Sequence, residues 1–179
     1  MTSNRLSALR AAAAVRALPY CWPGAPEAAA VASGTGTCAS KHALLALELE
    51  RCGVGSSPLL VLGRLIPAQL ANEPEFADGA ELLEVHECLT VHTQWAGPLL
   101  VDVTWDPPLV EHGLTGAPWD GSSDTPLALE PIGAGWSVPR AIVRQQKEAL
   151  RSRIYGPTER TRRDELLASM SARFAAWRG

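Results

Sequence analysis

A chain of 179 residues, 46% hydrophobic and 20% charged, has the composition of an ordinary folded domain and not of a disordered tail. Its net charge of -3, with no dominant basic face, argues against a nucleic-acid-binding protein. Four cysteines are too few for a disulfide scaffold, and no unbroken apolar segment resembles a secretion signal or a membrane span; the expectation is one domain, residues 1–179, cytoplasmic, with reduced thiols and no membrane partner.

In chain order, residues 3–17 read as a helix, with Leu6, Leu9, Ala13 and Ala17 at helical spacing and Pro19 ending it. Tyr20 to Gly24 is a loop carrying two aromatic side chains. Residues 26–32 read as a short helix with Pro26 at its start. Ser33 to Gly36 is a turn into a helix from about Cys38 to Arg51, apolar at Ala43, Leu44, Leu45, Ala46, Leu47 and Leu49 and closed by Gly53. So wide an apolar arc predicts a buried helix. Pro58 to Gly63 reads as a buried strand, and 67–81 as irregular or briefly helical.

Leu83 to Gln94 reads as a strand with His86, Cys88, Thr90 and His92 on one parity. Trp95 to Pro98 is a turn, and Leu99 to Trp105 a second strand, ended by Asp106-Pro107-Pro108. Strands this close form an antiparallel hairpin. A turn centred near Gln94 would set His86 across from Asp102, whereas a later turn at Gly97-Pro98 would offset the pair. Residues 111–135 read as loops with turns at Asp120-Gly121 and Gly133. Trp119 there is either a cleft wall or, more commonly beside Asp-Gly, a turn anchor. A helix over 139–153, with Ser137 as a cap, and a last helix from 157 or 158 to about Trp177 complete the chain. The latter's Leu166, Leu167, Met170, Phe174 and Trp177 share a face. The arginines at 151, 153, 160, 162 and 163, mixed with Glu159, Asp164 and Glu165, read as a solvated helix surface.

The chemistry concentrates at Gly34-Thr35-Gly36-Thr37-Cys38. A glycine turn feeding a helix puts Cys38 in the first helical turn, with Thr37 as N-cap. Free amides and the helix dipole favour a thiolate there. Cys21, Cys52 and Cys88 read as small buried hydrophobes. A histidine must share the thiol proton, and a carboxylate must hold that ring. His86 is preferred over His92, His42 and His112. Asp102 is preferred over Asp106, which precedes a proline and reads as a turn former. Tyr20 and Trp22 are candidates to support backbone amides at an oxyanion.

These residues in this order, Gly-Thr-Cys38 before an apolar helix, His86 on a strand and Val-Asp102-Val-Thr-Trp ending a hairpin, resemble the transglutaminase-like superfamily. The resemblance covers about residues 18–107. It implies an α+β fold with a papain-like core, the cysteine-bearing helix packed on an antiparallel sheet, here with extra C-terminal helices. It implies Cys38 as nucleophile, His86 as general base and acid, and Asp102 as the orienting carboxylate. The activity implied is a thiol-dependent amide hydrolase or acyl transferase working through a thioester on a peptide or protein amide: a peptidase, a deamidase or a transglutaminase. The family often has His-Ala-Trp where this chain has His86-Glu87-Cys88. No calcium loop is evident, so neither cofactor nor metal is expected. One alternative is a non-catalytic module keeping the fold. Another is a zinc site using Cys38 and His42, or His86, Cys88 and His92.

Overall fold

The computed structural model describes residues 3–22, 33–67, 69–70, 73–77 and 82–179. Within them lie, in order, α1 (Ser3–Arg16), α2 (Cys38–Arg51), β1 (Gly55–Arg64), β2 (Leu83–Thr93), β3 (Gly97–Val101), α3 (Pro107–Glu111), β4 (Trp136–Ser137), α4 (Val143–Ile154) and α5 (Pro157–Arg178). The strands form one antiparallel sheet in the order β3-β2-β1-β4, so the fold is α+β. The helix expected at 26–32 lies outside the described residues. Among the described residues, no helix is long and apolar enough to cross a membrane.

Two helices bury faces other than the expected ones. In α1 the buried residues are Ala8, Ala12 and Val15, while Leu6 is exposed. The small side chains at 8 and 12 leave room for α2, whose Leu45 and Leu49 lie in the same core cluster with no solvent exposure. Burying each leucine contributes roughly 2 kcal/mol. Leu89 and Val91 of β2 and Leu99 and Val101 of β3 complete that cluster. The buried face of α2 is not uniformly apolar: it begins with Ser40, Lys41 and His42, and Leu47 points to solvent. The polar end of that face is the part nearest Cys38.

The hairpin turn lies slightly later than Gln94. Thr93 pairs with Gly97 and Leu89 with Val101. Gly97 has φ +77°, a conformation glycine adopts without strain. The Thr93 hydroxyl donates to the Gly97 carbonyl and accepts from the Ala96 amide, both at 2.9 Å. The second strand stops at Val101, four residues short of expectation. Beyond it the backbone amides leave the ladder for side-chain acceptors: Asp102 N–H donates to Thr125 Oγ1 (2.6 Å), Val103 N–H to His42 Nε2 (2.9 Å) and Thr104 N–H to Asp102 Oδ1 (2.9 Å).

The C-terminal half packs back on this frame. Trp136 and Ser137 pair with Leu60 and Leu59, so Ser137 is a strand residue and not a helix cap. The helix begins at Val143, after a 3-10 turn at Arg140–Ile142. Val143, Leu150 and Ile154 of α4 pack over Leu60 and Val85. In α5, Leu166, Leu167, Met170 and Phe174 are buried against Leu109 of α3, Trp105 and Tyr20. Trp119 anchors its turn within the α1–α2 cluster, and the next residue, Asp120, accepts the amides of Ser122 (2.7 Å) and Ser123 (2.9 Å).

Candidate active site

The loop before α2 is fixed by backbone contacts. Tyr20 and Gly36 form a parallel bridge, with Cys21 N–H donating to Gly36 O (3.1 Å) and Gly36 N–H to Pro19 O (3.0 Å). A Cβ on Gly36 would lie 2.9 Å from both Lys41 Cγ and Ser40 Oγ, so a glycine is needed there. Thr37 is the N-cap and forms a reciprocal capping box with Ser40. That occupies the amide of Ser40, and the Thr37 carbonyl takes the amide of Lys41 (3.0 Å). The amides of Cys38 and Ala39, the first two of the helix, have no intrahelical partner.

His86 and Asp102 meet directly. His86 Nε2 lies 2.7 Å from Asp102 Oδ2, and both side chains are buried. The carboxylate is held further by the amides of Ala128 (2.8 Å, to Oδ2) and Thr104 (to Oδ1). With Nε2 engaged, Nδ1 is the ring nitrogen left for Cys38, and His86 and Cys38 both line the same cavity. Burial disfavours the imidazolium, but Asp102 and the Cys38 sulfur outweigh it and raise His86 to about 10. Burial likewise disfavours a thiolate at Cys38. Lys147 and His86 outweigh that and hold the thiol well below its ordinary value. Asp102 is held well below the carboxylate range, His86 prevailing over burial. Both directions favour a thiolate–imidazolium pair over the neutral one.

The other histidines are committed elsewhere. His42 Nδ1 donates to the Cys38 carbonyl (2.7 Å) and Nε2 accepts from Val103 N–H (2.9 Å). Its 3.4 Å approach to Asp102 Oδ1 is thus a contact between acceptors and not an ion pair. His92 bonds Ser57 Oγ (3.0 Å), and His112 stacks on Trp177 at 4.9 Å. Asp106 takes the Tyr20 amide (2.8 Å) and Arg178 (2.6 Å). All four cysteines are free. Cys88 is buried as expected, whereas Cys21 and Cys52 are half-buried, like Cys38. Among the described residues, no three His, Cys, Asp or Glu side chains converge as a metal-binding group.

A cavity of about 190 Å³ opens at the sulfur, with Tyr20, Trp22, His86 and Lys147 in its wall. Trp22 carries the Arg163 guanidinium on its ring at 5.0 Å and donates its amide to Ser171 Oγ (2.6 Å). Tyr20 is edge-on to Trp105 at 4.8 Å, and burial raises its hydroxyl, which stays a phenol.

The C-terminal helices contribute what the sequence motifs left out. Lys147 Nζ lies 3.5 Å from Cys38 Sγ and 3.7 Å from Glu87 Oε2, and both of these charged side chains are buried. Glu84 Oε1 accepts from Arg151 Nε (2.8 Å) and Nη2 (2.6 Å), and Oε2 from Arg163. Burial raises Glu84, but the two guanidiniums outweigh it and lower the carboxylate. The expected solvated arginine surface is thus corrected at Arg151 and Arg163. They turn inward because Glu84, buried at the start of β2, needs counter-charge. A signal was present in the sequence. Lys147 interrupts the apolar series Val143, Leu150, Ile154, and Arg163 the series Leu167, Met170, Phe174, each at core-facing helical spacing.

Comparison with family models, with curated proteins and with solved structures gives no match.

Proposed function

We propose that the chain is a thiol-dependent amide hydrolase or acyl transferase with Cys38 as nucleophile, His86 as base and acid, and Asp102 as the orienting carboxylate. The observation that carries this is that His86, held 2.7 Å from Asp102, lines the same cavity as Cys38, the first residue of a helix. Placing the helix tip against an antiparallel sheet accords with the papain-like core that the transglutaminase-like resemblance implies.

The thiolate attacks the carbonyl carbon of a peptide or protein amide. A C–S bond forms and the carbonyl electron pair moves onto oxygen. The unpartnered amides of α2 face that charge. Collapse breaks the C–N bond, and the amine leaves with the proton from His86. Water, or a primary amine, then gives a proton to His86 and attacks the thioester. The product is an acid or a new amide, and the thiolate returns. Tyr20 and Trp22 wall the cavity in which the acyl group sits.

The test is the pH dependence of Cys38 alkylation by iodoacetamide, followed at that residue by peptide mass spectrometry. The midpoint is expected well below about 8.5, the free-thiol value. In His86→Ala it rises towards that value. An ordinary midpoint in the native chain, unmoved by His86→Ala, would leave a non-catalytic module.

A further inference from the structure

We infer that Lys147, delivered by α4 from outside the triad's own segments, is a catalytic residue whose ammonium carries the site's negative charge, first on the Cys38 thiolate and then on the substrate oxyanion. This rests on the reading of Cys38 as nucleophile and adds to it a second arm.

Three observations converge. Lys147 Nζ is 3.5 Å from Cys38 Sγ, within direct ion-pair range. Its stem crosses the apolar face of α4, which fixes the ammonium at the sulfur and away from solvent. Behind it, Glu87, a buried carboxylate in mid-strand, stands 3.7 Å away and offsets the burial of the ammonium. Two charged pairs thus stand at the site, the hydrogen-bonded Asp102–His86 and the ion pair Glu87–Lys147. The residue type fits too. Lys41 and Lys147 are the two lysines among sixteen Lys and Arg; both are buried, and Lys147 is the one that lines the cavity at Cys38. An ammonium is a compact point charge on a flexible stem, able to follow charge from sulfur to an oxygen two bonds away. A guanidinium is wider and less free to turn.

When the thiolate attacks, its charge moves to the carbonyl oxygen. The sulfur becomes a neutral thioether, and Lys147, already 3.5 Å from it, can turn to the new anion alongside the Cys38 amide. The other charged and titratable groups facing the pair are Glu84, His86 and Glu87 on β2, Arg144, Glu148 and Arg151 on α4, Arg163 on α5 and Tyr20. Glu84 already holds Arg151 and Arg163, and Glu148 holds Arg160 (2.6 Å), whereas Lys147 approaches the sulfur itself at 3.5 Å.

Two rates measured on the full chain separate the roles. Alkylation of Cys38 by iodoacetamide develops no oxyanion, whereas acylation by p-nitrophenyl acetate does. In Lys147→Met the alkylation midpoint is expected to rise by roughly 1–3 pH units, the scale for losing an adjacent opposite charge. At pH values where the thiolate is fully formed, acylation is expected to remain slower on the order of 10²-fold, while alkylation recovers. Lys147→Arg keeps the charge and is expected to restore the low midpoint. Lys147→Gln serves if the Met variant fails to fold. A folded Lys147→Met or Lys147→Gln variant with the native midpoint and native acylation rate overturns the inference. If the native midpoint is low and rises only in His86→Ala, the triad reading survives that result. An ordinary midpoint in the native chain sinks both.

Discussion

Cys38 is gripped from two sides that are built differently. On the hairpin side, polar side chains hold backbone atoms. Lys41 Nζ donates to the carbonyls of Arg16 (3.1 Å), Leu18 (2.9 Å) and Thr104 (2.8 Å), and Asp102 and His42 take amides around the end of β3. On the helical side, side chains hold side chains: Lys147 with Glu87, Arg151 and Arg163 with Glu84, Arg160 with Glu148. Backbone partners are present whatever residue occupies the partner position. Ion pairs need both residues, and they respond to pH. The first side therefore fixes where the sulfur, ring and carboxylate stand, and the second sets the charge they work in.

The comparison can be broken most decisively at Lys41. Lys41→Met leaves three carbonyls without their donor, two of them at the end of α1, and is expected to cost about 3–5 kcal/mol in urea unfolding. A loss under about 1 kcal/mol would mean that backbone anchoring is not what holds this side. His42→Phe keeps the ring volume and removes two hydrogen bonds. It is expected to cost about 2 kcal/mol and to slow Cys38 acylation through misplacement, with the alkylation midpoint changed less than in His86→Ala.

Acid sharpens the contrast without substitution. Glu84 sits lower in the fold than its ordinary 4.5, so its contribution is present above that value and is lost as pH falls through the depressed one. Hydrogen exchange on acidification is expected to deprotect α4 and α5 before α2, and simultaneous loss would show that the two sides open as one. In base the sign reverses. His86, raised to about 10, contributes fully below 6.5, and that contribution is lost as pH rises towards 10. The thiolate–imidazolium pair is lost with it, so turnover falls there too. The smallest effect belongs to Arg140, an exposed side chain 3.5 Å from an exposed Glu50. Arg140→Ala is expected to change stability by less than about 0.5 kcal/mol, measured by thermal melting.

The legibility of the chain follows the same division. The N-terminal half announced itself through local chemistry. A glycine turn, an N-cap threonine and an apolar helix place Cys38, and alternation across a short turn places β2 and β3. The register came out offset because Gly97 and Thr93 move the turn, and Asp102 reaches His86 by leaving the ladder. Long-range partners were harder to read. Nothing near Lys41 in sequence says that three carbonyls from two distant segments converge on it. Arg151 and Arg163 looked like surface because arginines on a polar helix usually are, and only Glu84, far away in sequence, turns them inward. Yet a charge set at core spacing in an otherwise apolar stripe, as at 147 and 163, is itself a cue that something buried needs it.

His42 carries one last consequence. One imidazole spans the carbonyl of Cys38 and the amide of Val103, next to Asp102. Thermal displacement of the helix tip is therefore transmitted to the loop that bears Asp102, and the two drift in step. What proton transfer feels is relative spacing, so the row of reacting groups can ride on a breathing scaffold and keep its alignment.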